Sequence, residues 1–384
     1  MHLSQYYTQR IYSKLLVESL GIDNPLHALD LGFGSGELLR AARRRWRGLS
    51  LIGVDIDEEN IERANKKKLI QALHVDGFNP HLPEMLRDKF GNIELLVSNP
   101  PYYSRENNSD IRQILKDSGL GECISLRRKT IPAEVIFLAQ NLRILKAGGE
   151  LGIILPAGII SGEKWKKLRE YLFLEYNVIS CTQLPSHSFK NTDAQVFILI
   201  IRAHTGLDRA DTLKLRHANH FADIIVSSKE AISRADYSYY KSSIAVLEEN
   251  VSQINYQLLR GRNSQNELKN NFKQFIHTTK LQTFPSEISL PHEPNDYTVN
   301  TIPGDILVAR VGRRCLGRVA LVNSGSVPIS DCIIIVRPET KTDKEKLWEK
   351  FSCATTKQRL LDVSLGVGAK YLTYGAIEDF LRNV

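Results

Sequence analysis

Four consecutive residues, Asn99-Pro100-Pro101-Tyr102, put two hydrogen-bond acceptors and an aromatic ring on one stiff turn. The Asn99 side-chain oxygen and the Pro100 carbonyl can each accept a hydrogen from a single amine nitrogen. An amine whose lone pair is conjugated into a ring, as on a nucleobase, is a poor nucleophile. Catalysis must draw that pair out of conjugation and present it in line with an electrophile. Two acceptors on the amine favour a more tetrahedral nitrogen and the positive charge that develops on it. Tyr102 can stack on the base, and Pro100 and Pro101 keep the acceptors in place with little reorganisation.

A second group of residues suits a nucleoside. The run Ala28-Leu29-Asp30-Leu31-Gly32-Phe33-Gly34-Ser35-Gly36-Glu37 reads as strand, glycine turn and helix start in direct succession. Without side chains at Gly32, Gly34 and Gly36, backbone can approach a ligand closely. The next strand ends in Gly53-Val54-Asp55-Ile56-Asp57, where a carboxylate can accept from both ribose hydroxyls, and Asp55 and Asp57 both qualify. A third strand leads into His74-Val75-Asp76-Gly77-Phe78. Acidic groups thus fall at strand C-terminal ends, where α/β sheets place ligands. The turn reads GxGxG, not the GxGxxG of a dinucleotide site, and Asp30 and Glu37 flank it with charge that repels pyrophosphate and suits a cationic sulfonium.

Holding these groups together requires a sheet with the turns along one edge. Residues 26–200 alternate short apolar strands with charged, helix-like stretches, which predicts a parallel sheet covered by helices. The predicted strands are Leu26–Leu31, Leu51–Asp55, Glu94–Ser98, Leu151–Leu155, Val178–Gln183 and Val196–Arg202, with helices at Glu37–Trp46, Glu58–Lys68, Ala133–Leu145 and Lys164–Glu175. After His204 the chain turns polar, and the boundary is expected near 203–212. Order returns at Gly304–Val322 and Ile329–Pro338, where β-branched residues alternate with glycines and turns.

These motifs resemble the class I methyltransferases, which implies S-adenosyl-L-methionine as cofactor. The resemblance puts Asp30 near the methionine amino group, Asp55 on the ribose, Ile56 beside the adenine ring and Asp76 on its amine, with Gly32, Gly34, Gly36 and Asn99 completing the pocket. Tyr6-Tyr7-Thr8-Gln9 resembles an N-terminal motif whose Thr8 approaches the methionine carboxylate, although Gln9 stands where that motif has proline. Asn99-Pro100-Pro101-Tyr102 is similar to the NPPY signature of amino methyltransferases, which act on adenine in DNA or RNA, on cytosine amines or on protein glutamine. The stretch from Ala147 to Pro156, then Leu184-Pro185 and Phe189-Lys190-Asn191-Thr192-Asp193, resembles the later half of gamma-type DNA adenine methyltransferases and of type I modification subunits. That implies Phe189 opposite Tyr102 around a flipped adenine. Gly304–Gly312, Gly317–Val322, Ile329–Cys332 and Gly366–Thr373 resemble the target-recognition domains of type I specificity subunits. Such a domain reads base edges in the major groove with Arg, Lys, Asn or Gln side chains on loops. Arg310, Arg313, Arg314 and Arg318 gather basic charge near its sheet and are the expected DNA-binding residues, contacting phosphate for positioning more than reading bases.

The expectation is an α/β chain: a class I, Rossmann-like methyltransferase domain with a mostly parallel sheet at 1–205, then a smaller α+β, β-rich target-recognition domain at 206–384. Its expected activity is site-specific transfer of a methyl group to the N6 amine of a flipped adenine in double-stranded DNA, within a restriction-modification or related defence system. A separate restriction endonuclease is a further expected partner, with monomer and dimer both open. The alternative is an RNA adenine or protein-glutamine N-methyltransferase using the same loop. A cytosine-ring methyltransferase is disfavoured because no Pro-Cys occurs. A length of 384 residues suits two domains, and the formal net charge of +8 attracts polyanions. No apolar run approaches the roughly 18 residues of a membrane span, which points to the cytoplasm. The 5 cysteines stand singly, without zinc-ligand spacing, so no metal site is expected.

Overall fold

Apolar runs of five to eight residues, bounded by glycine, proline and charge, set the first sheet. In chain order its region contains β1 (His27–Leu31), β2 (Ser50–Asp55), β3 (Gln71–His74), β4 (Ile93–Ser98), β5 (Ser104–Glu106), β6 (Thr130–Pro132), β7 (Leu145–Pro156), β8 (Tyr176–Gln183), β9 (Val196–Ala203), β10 (Thr212–His217) and β11 (His220–Ser227). The computed structural model describes residues 8–125, 127–185, 188–189, 195–206, 211–244, 254–295, 298–312, 314–366 and 370–382. The chain divides into two units, Met1–Tyr237 and Ser238–Val384.

The first unit carries a nine-stranded sheet in the order β11-β10-β8-β9-β7-β4-β1-β2-β3. Strands β3, β2, β1, β4 and β7 are parallel, while β9 enters antiparallel between β7 and β8. This is the mostly parallel, Rossmann-like sheet that the sequence predicts. Its central strands are apolar on both faces, as strands covered by helices on each side must be: β1 and β4 are buried at all but their first and second positions, respectively. Because β1 has β2 on one side and β4 on the other, winding reverses there, and the C-terminal ends of β1, β2 and β4 open on the crevice so created.

The first six α-helices among the described residues are α1 (Arg10–Ser19), α2 (Glu37–Arg45), α3 (Glu58–Lys67), α4 (Leu82–Phe90), α5 (Ser109–Asp117) and α6 (Ala133–Ile144). Asp57 caps α3 by accepting from Glu59 N–H at 3.0 Å, which stops β2 from running on. Helix α6 is buried on nearly every side. Its Gln140 Nε2 donates to the carbonyls of Gly77 and Asn79 at 3.0 and 2.7 Å, so the helix holds the turn after β3 in place.

The sheet does not stop at 205. Strand β10 adds parallel to β8, and β11 pairs antiparallel with β10, so the first unit extends to Tyr237, beyond the boundary expected from composition. The physical reason is an edge hairpin: Leu213 and Leu215 are fully buried while Lys214 and Arg216, the residues that follow them, are half-buried on the other face. Alternation of this kind is the mark of a half-buried strand, here set in a stretch whose surrounding composition is polar.

The second unit has β12 (Tyr256–Arg260), β13 (Ser286–His292), β14 (Ile306–Ala309), β15 (Val319–Ser326) and β16 (Ile333–Pro338) in one mixed sheet ordered β12-β16-β14-β15-β13. Alternate residues of β14 serve different cores. Ile306 and Val308 pack with Phe351, Leu360 and Phe380 of the C-terminal helices, whereas Leu307 and Ala309 pack with Ile276, Leu281 and Ile329. Asp305, fully buried, is paired with Arg337 at 2.8 Å. No helix among the described residues is long and apolar enough to cross a membrane.

Candidate active site

The glycine turn is built for close approach. Gly32, Gly34 and Gly36 all have positive φ, at 71°, 51° and 78°. Gly32 N–H donates to Val54 O at 2.7 Å and Gly34 N–H to Asp55 Oδ2 at 2.8 Å, so the end of β2 holds the turn. Phe33 is buried beneath it, and a Cβ at Gly53 would stand 2.6 Å from the Phe33 ring and 2.9 Å from Ile70. A Gly53→Ala protein is therefore expected to lose about 1–3 kcal/mol by overpacking. Thermal unfolding should show a Tm lowered by roughly 2–12 °C, given 2–4 °C per kcal/mol at this size. An unchanged Tm would mean that Phe33 is free to move.

The acidic groups converge on a cavity at the C-terminal ends of β1, β2 and β4. Asp30, Asp55, Ile56 and Asp76 line it with Gly32 and Gly34, and Thr8, Asn99, Pro100 and Pro101 form another wall. Gly36 does not line it and acts one step back, as the left-handed residue that launches α2. Asp30 is 2% exposed, and its Oδ1 has no hydrogen-bond partner. Burial, and then the charge of Asp55, raise its pKa well above the usual carboxylate range. Asp55 accepts from Asp57 N–H at 2.9 Å, Gly34 N–H at 2.8 Å and Asn60 Nδ2 at 3.2 Å. Of the two carboxylates suited to ribose, Asp55 lines the cavity, whereas Asp57 is used as the cap of α3. Ile56, 49% exposed, sits at the mouth. Glu37 also lines the cavity, but burial, which would raise its pKa, is outweighed by bonds from Arg44 and Arg40 at 2.7 and 2.8 Å that lower it. Its charge is largely shared with those arginines, so of the two acidic residues flanking the turn Asp30 is the one left without a cationic partner among the described residues.

The proline turn is braced from two sides. Asn99 Nδ2 donates to Thr8 Oγ1 at 3.0 Å, and the Tyr102 hydroxyl lies 3.2 Å from Asn99 Oδ1 and 3.3 Å from Ile154 O. Burial, and then the charge of Glu134, push the Tyr102 phenol up, so it remains a donor. These bonds orient the Asn99 amide with its oxygen toward Tyr102. Tyr102 packs against the main core cluster and does not line the cavity, and Phe189, 3% exposed, belongs to that same cluster, 6.1 Å from the Tyr12 ring. The expected aromatic sandwich is thus not laid open: both rings bury their apolar faces in the core. Residues 190–193, Tyr6 and Tyr7 lie outside the described residues.

Several cavity residues carry no signal that the sequence reading used. Phe137 of α6 lies 3.2 and 3.0 Å from where Cβ atoms at Gly32 and Gly77 would be, and so floors the pocket. Phe78, Tyr103 and Arg105 also line it. Phe78 and Arg105 stand two and three residues from chemistry already noticed, and that proximity was the available clue; Phe137 had none. Glu134, one turn before Phe137, has its carboxyl pushed up to about 7, mainly by burial. A folded pKa above the unfolded value of 4.5 means that stability falls as pH rises from 4.5 to about 7. Glu134→Gln is expected to remove that slope and to melt above the native protein at pH 8. Parallel melting curves at both ends of the range would refute this.

In the second unit, Arg310 and Arg318 are half-buried and largely committed within the fold. Arg310 Nε donates to Leu372 O at 3.2 Å, and Arg318 Nη1 to Leu281 O at 2.9 Å. Arg314 is exposed, as are Arg260 and Arg262, and Arg313 lies outside the described residues. Loop carbonyls that no strand satisfies explain why two of the expected DNA-binding arginines turn inward.

The model of the N-6 DNA Methylase family matches residues 2–259. The chain is similar to "Type II methyltransferase M.CvrRI" of Paramecium bursaria Chlorella virus XZ-6E, 25% identical over 200 residues, covering 52% of this chain and 48% of that one. It is also similar to a "Release factor glutamine methyltransferase" of Enterococcus faecalis, 35% identical over 92 residues, 22% of this chain and 30% of that one. The chain therefore spans half or less of the length of these relatives. Among solved structures, the type IIG restriction endonuclease BpuSI shares the fold over 96% of this chain and 57% of its own, with a TM-score of 0.53 at 12% identity.

Proposed function

The chain belongs to the N-6 DNA methylase family, and from that premise we propose that it transfers a methyl group from S-adenosyl-L-methionine to the N6 amine of an adenine flipped out of duplex DNA, as part of a restriction-modification or related system. One observation carries this reading: Asn99 and Pro100 line the same cavity as Asp30, Asp55 and Asp76. The residues present fit the cofactor. The unpartnered, buried Asp30 oxygen suits an ammonium group, the positive-φ glycines leave room beside it, and Ile56 offers an apolar face at the mouth. Asp55 would hold the ribose and Asp76 the adenine amine, with Thr8 toward the carboxylate.

The bound cofactor supplies an electrophilic methyl group on a sulfonium. Asn99 Oδ1 and the Pro100 carbonyl accept the two hydrogens of the target amine, drawing its lone pair out of the ring and stabilising the charge that develops on nitrogen. Thr8 holds the Asn99 amide nitrogen, and the Asn99 oxygen, with two lone pairs, would take the Tyr102 hydroxyl on one and the target amine on the other. We retain Phe189 and Tyr102 as the pair that stacks on the base. Phe189 would first have to leave its packing on Tyr12, at a cost of about 1.5–3 kcal/mol that stacking on the base offsets. We assign the second unit to target recognition, with Arg314 positioned to meet phosphate.

The glutamine methyltransferase similarity favours a second reading, in which the same loop presents a protein amide. Sequencing DNA from cells that express the protein, with modified adenines read at single-base resolution, separates the two. Methylated adenines in one recurring sequence are expected. Unmodified DNA alongside methylated protein glutamine, or methylated tRNA or rRNA, would overturn the proposal.

A further inference from the structure

With two acceptors and three carboxylates assigned and Glu37 bound to its arginines, the cation lining the cavity is left without a task. Arg105 lies in the middle of β5, three residues beyond Tyr102, and lines the cavity. Its Nη2 stands 3.6 Å from Asp76 Oδ2, and its guanidinium carbon is 4.7 Å from the centre of the Phe78 ring. Phe78 in turn meets Phe137 edge-on at 5.3 Å and Tyr103 edge-on at 6.4 Å. Strand β5 is held by β6, with Arg105 opposite Ile131, and Ala133 N–H donates to Tyr103 O at 2.8 Å.

A fixed cation beside a pocket for a cofactor whose net charge is positive does nothing to attract it. The partner of Arg105 is instead Asp76, whose Oδ1 already accepts from Phe78 N–H at 2.9 Å. That leaves Oδ2 to be shared between Arg105 and the adenine amine of the cofactor. The backbone of Arg105 is the strand into which Asn99–Tyr102 runs, so whatever sets the guanidinium against Asp76 also sets the end of that turn. We infer that Arg105 is a positioning residue coupling the nucleoside end of the cofactor pocket to the amine-accepting turn, so that cofactor and nucleic acid each tighten the binding of the other. The inference rests on the function proposed above. Coupling of this kind is reciprocal and is measured as a ratio of affinities.

The test is a four-corner cycle on the full chain: the Kd of a duplex carrying the methylated sequence, with and without the unreactive analogue sinefungin, and the Kd of sinefungin with and without duplex. In the native protein each ligand is expected to tighten the other by about 5-fold or more. In Arg105→Gln that factor falls below about 2-fold, whatever the change in the affinity for sinefungin alone, and Arg105→Lys recovers part of it by restoring charge without the planar fork. A merely structural role would weaken both single-ligand affinities and leave their ratio alone. The inference is overturned if Arg105→Gln keeps the native ratio, or if the native protein shows none. Failure of the proposed function looks different: the native protein does not methylate DNA at all, and the cycle is then read with the macromolecule it does modify, under the same two criteria.

Discussion

Asn99→Ala is expected to lower kcat for adenine methylation by roughly 100- to 1000-fold, the usual effect of deleting one preorganised hydrogen-bonding group that meets charge developing in a transition state. The flat amine of the ground state gains little from a second acceptor, whereas the pyramidal nitrogen needs it. The loss should therefore fall on kcat and kcat/KM alike and leave the KM for DNA within a few-fold. Asn99 is also bound to Thr8 and Tyr102, so part of the effect comes from freeing that neighbourhood. Asn99→Asp separates the contributions, because it keeps the acceptor facing Tyr102 and is expected to retain more activity than alanine. Single-turnover methylation of a duplex carrying the target sequence is the measurement. An alanine variant within 3-fold of native kcat would remove the basis of the proposed function.

Asp30→Asn is expected to weaken cofactor binding by about 30-fold or more, because truncating one partner of a buried charge pair costs about 2–5 kcal/mol and each 1.4 kcal/mol is tenfold. The same change should stabilise the protein without cofactor. Asp30 is a buried carboxylate with an unpartnered oxygen and with Asp55 nearby, and both features raise its pKa in the folded state. Since the folded value exceeds the unfolded one, the folded protein holds the proton longer. Stability then declines as pH rises from the ordinary carboxylate range through the raised folded value, and levels off above it. The asparagine variant lacks that decline and should have the higher Tm at neutral pH. Cofactor affinity runs the other way, rising with pH across the same window because the ammonium requires the ionised carboxyl. Melting curves across pH, with calorimetric titrations in buffers of different ionisation heat, test both halves. A variant that melts lower than native and binds sinefungin equally well would place the ammonium elsewhere.

Stability given up for function is a familiar feature of binding sites, and Asp30 is the position where this chain shows it most clearly. Its register partner across the sheet is Gly53, whose missing side chain makes room for Phe33 beneath the glycine turn. The strain of an unpaired carboxylate and the tight packing below the turn thus occur on adjacent strands.

Much of the site was legible before any coordinates because its chemistry is local. A strand, a glycine turn and a helix start lie within ten residues at 28–37, and the acceptors and ring of 99–102 lie within four, so identity and spacing are enough to place Asp30, Asp55, Asp76 and Asn99 at strand ends. Pairings made across the chain were not legible. Thr8 reaches Asn99 over 91 residues, Tyr102 finds the Ile154 carbonyl, and Phe137 floors a pocket whose glycines are 60 and more residues away. Likewise Arg310 and Arg318 carry the composition of a nucleic-acid surface but turn to loop carbonyls of Leu372 and Leu281. The extension of the first sheet through β10 and β11 belongs with these, since alternation can mark a strand locally but its place beside β8 is set only by the folded chain. Short-range geometry follows from residue type through backbone sterics and turn preference, whereas a long side chain takes whichever partner the folded chain brings within reach.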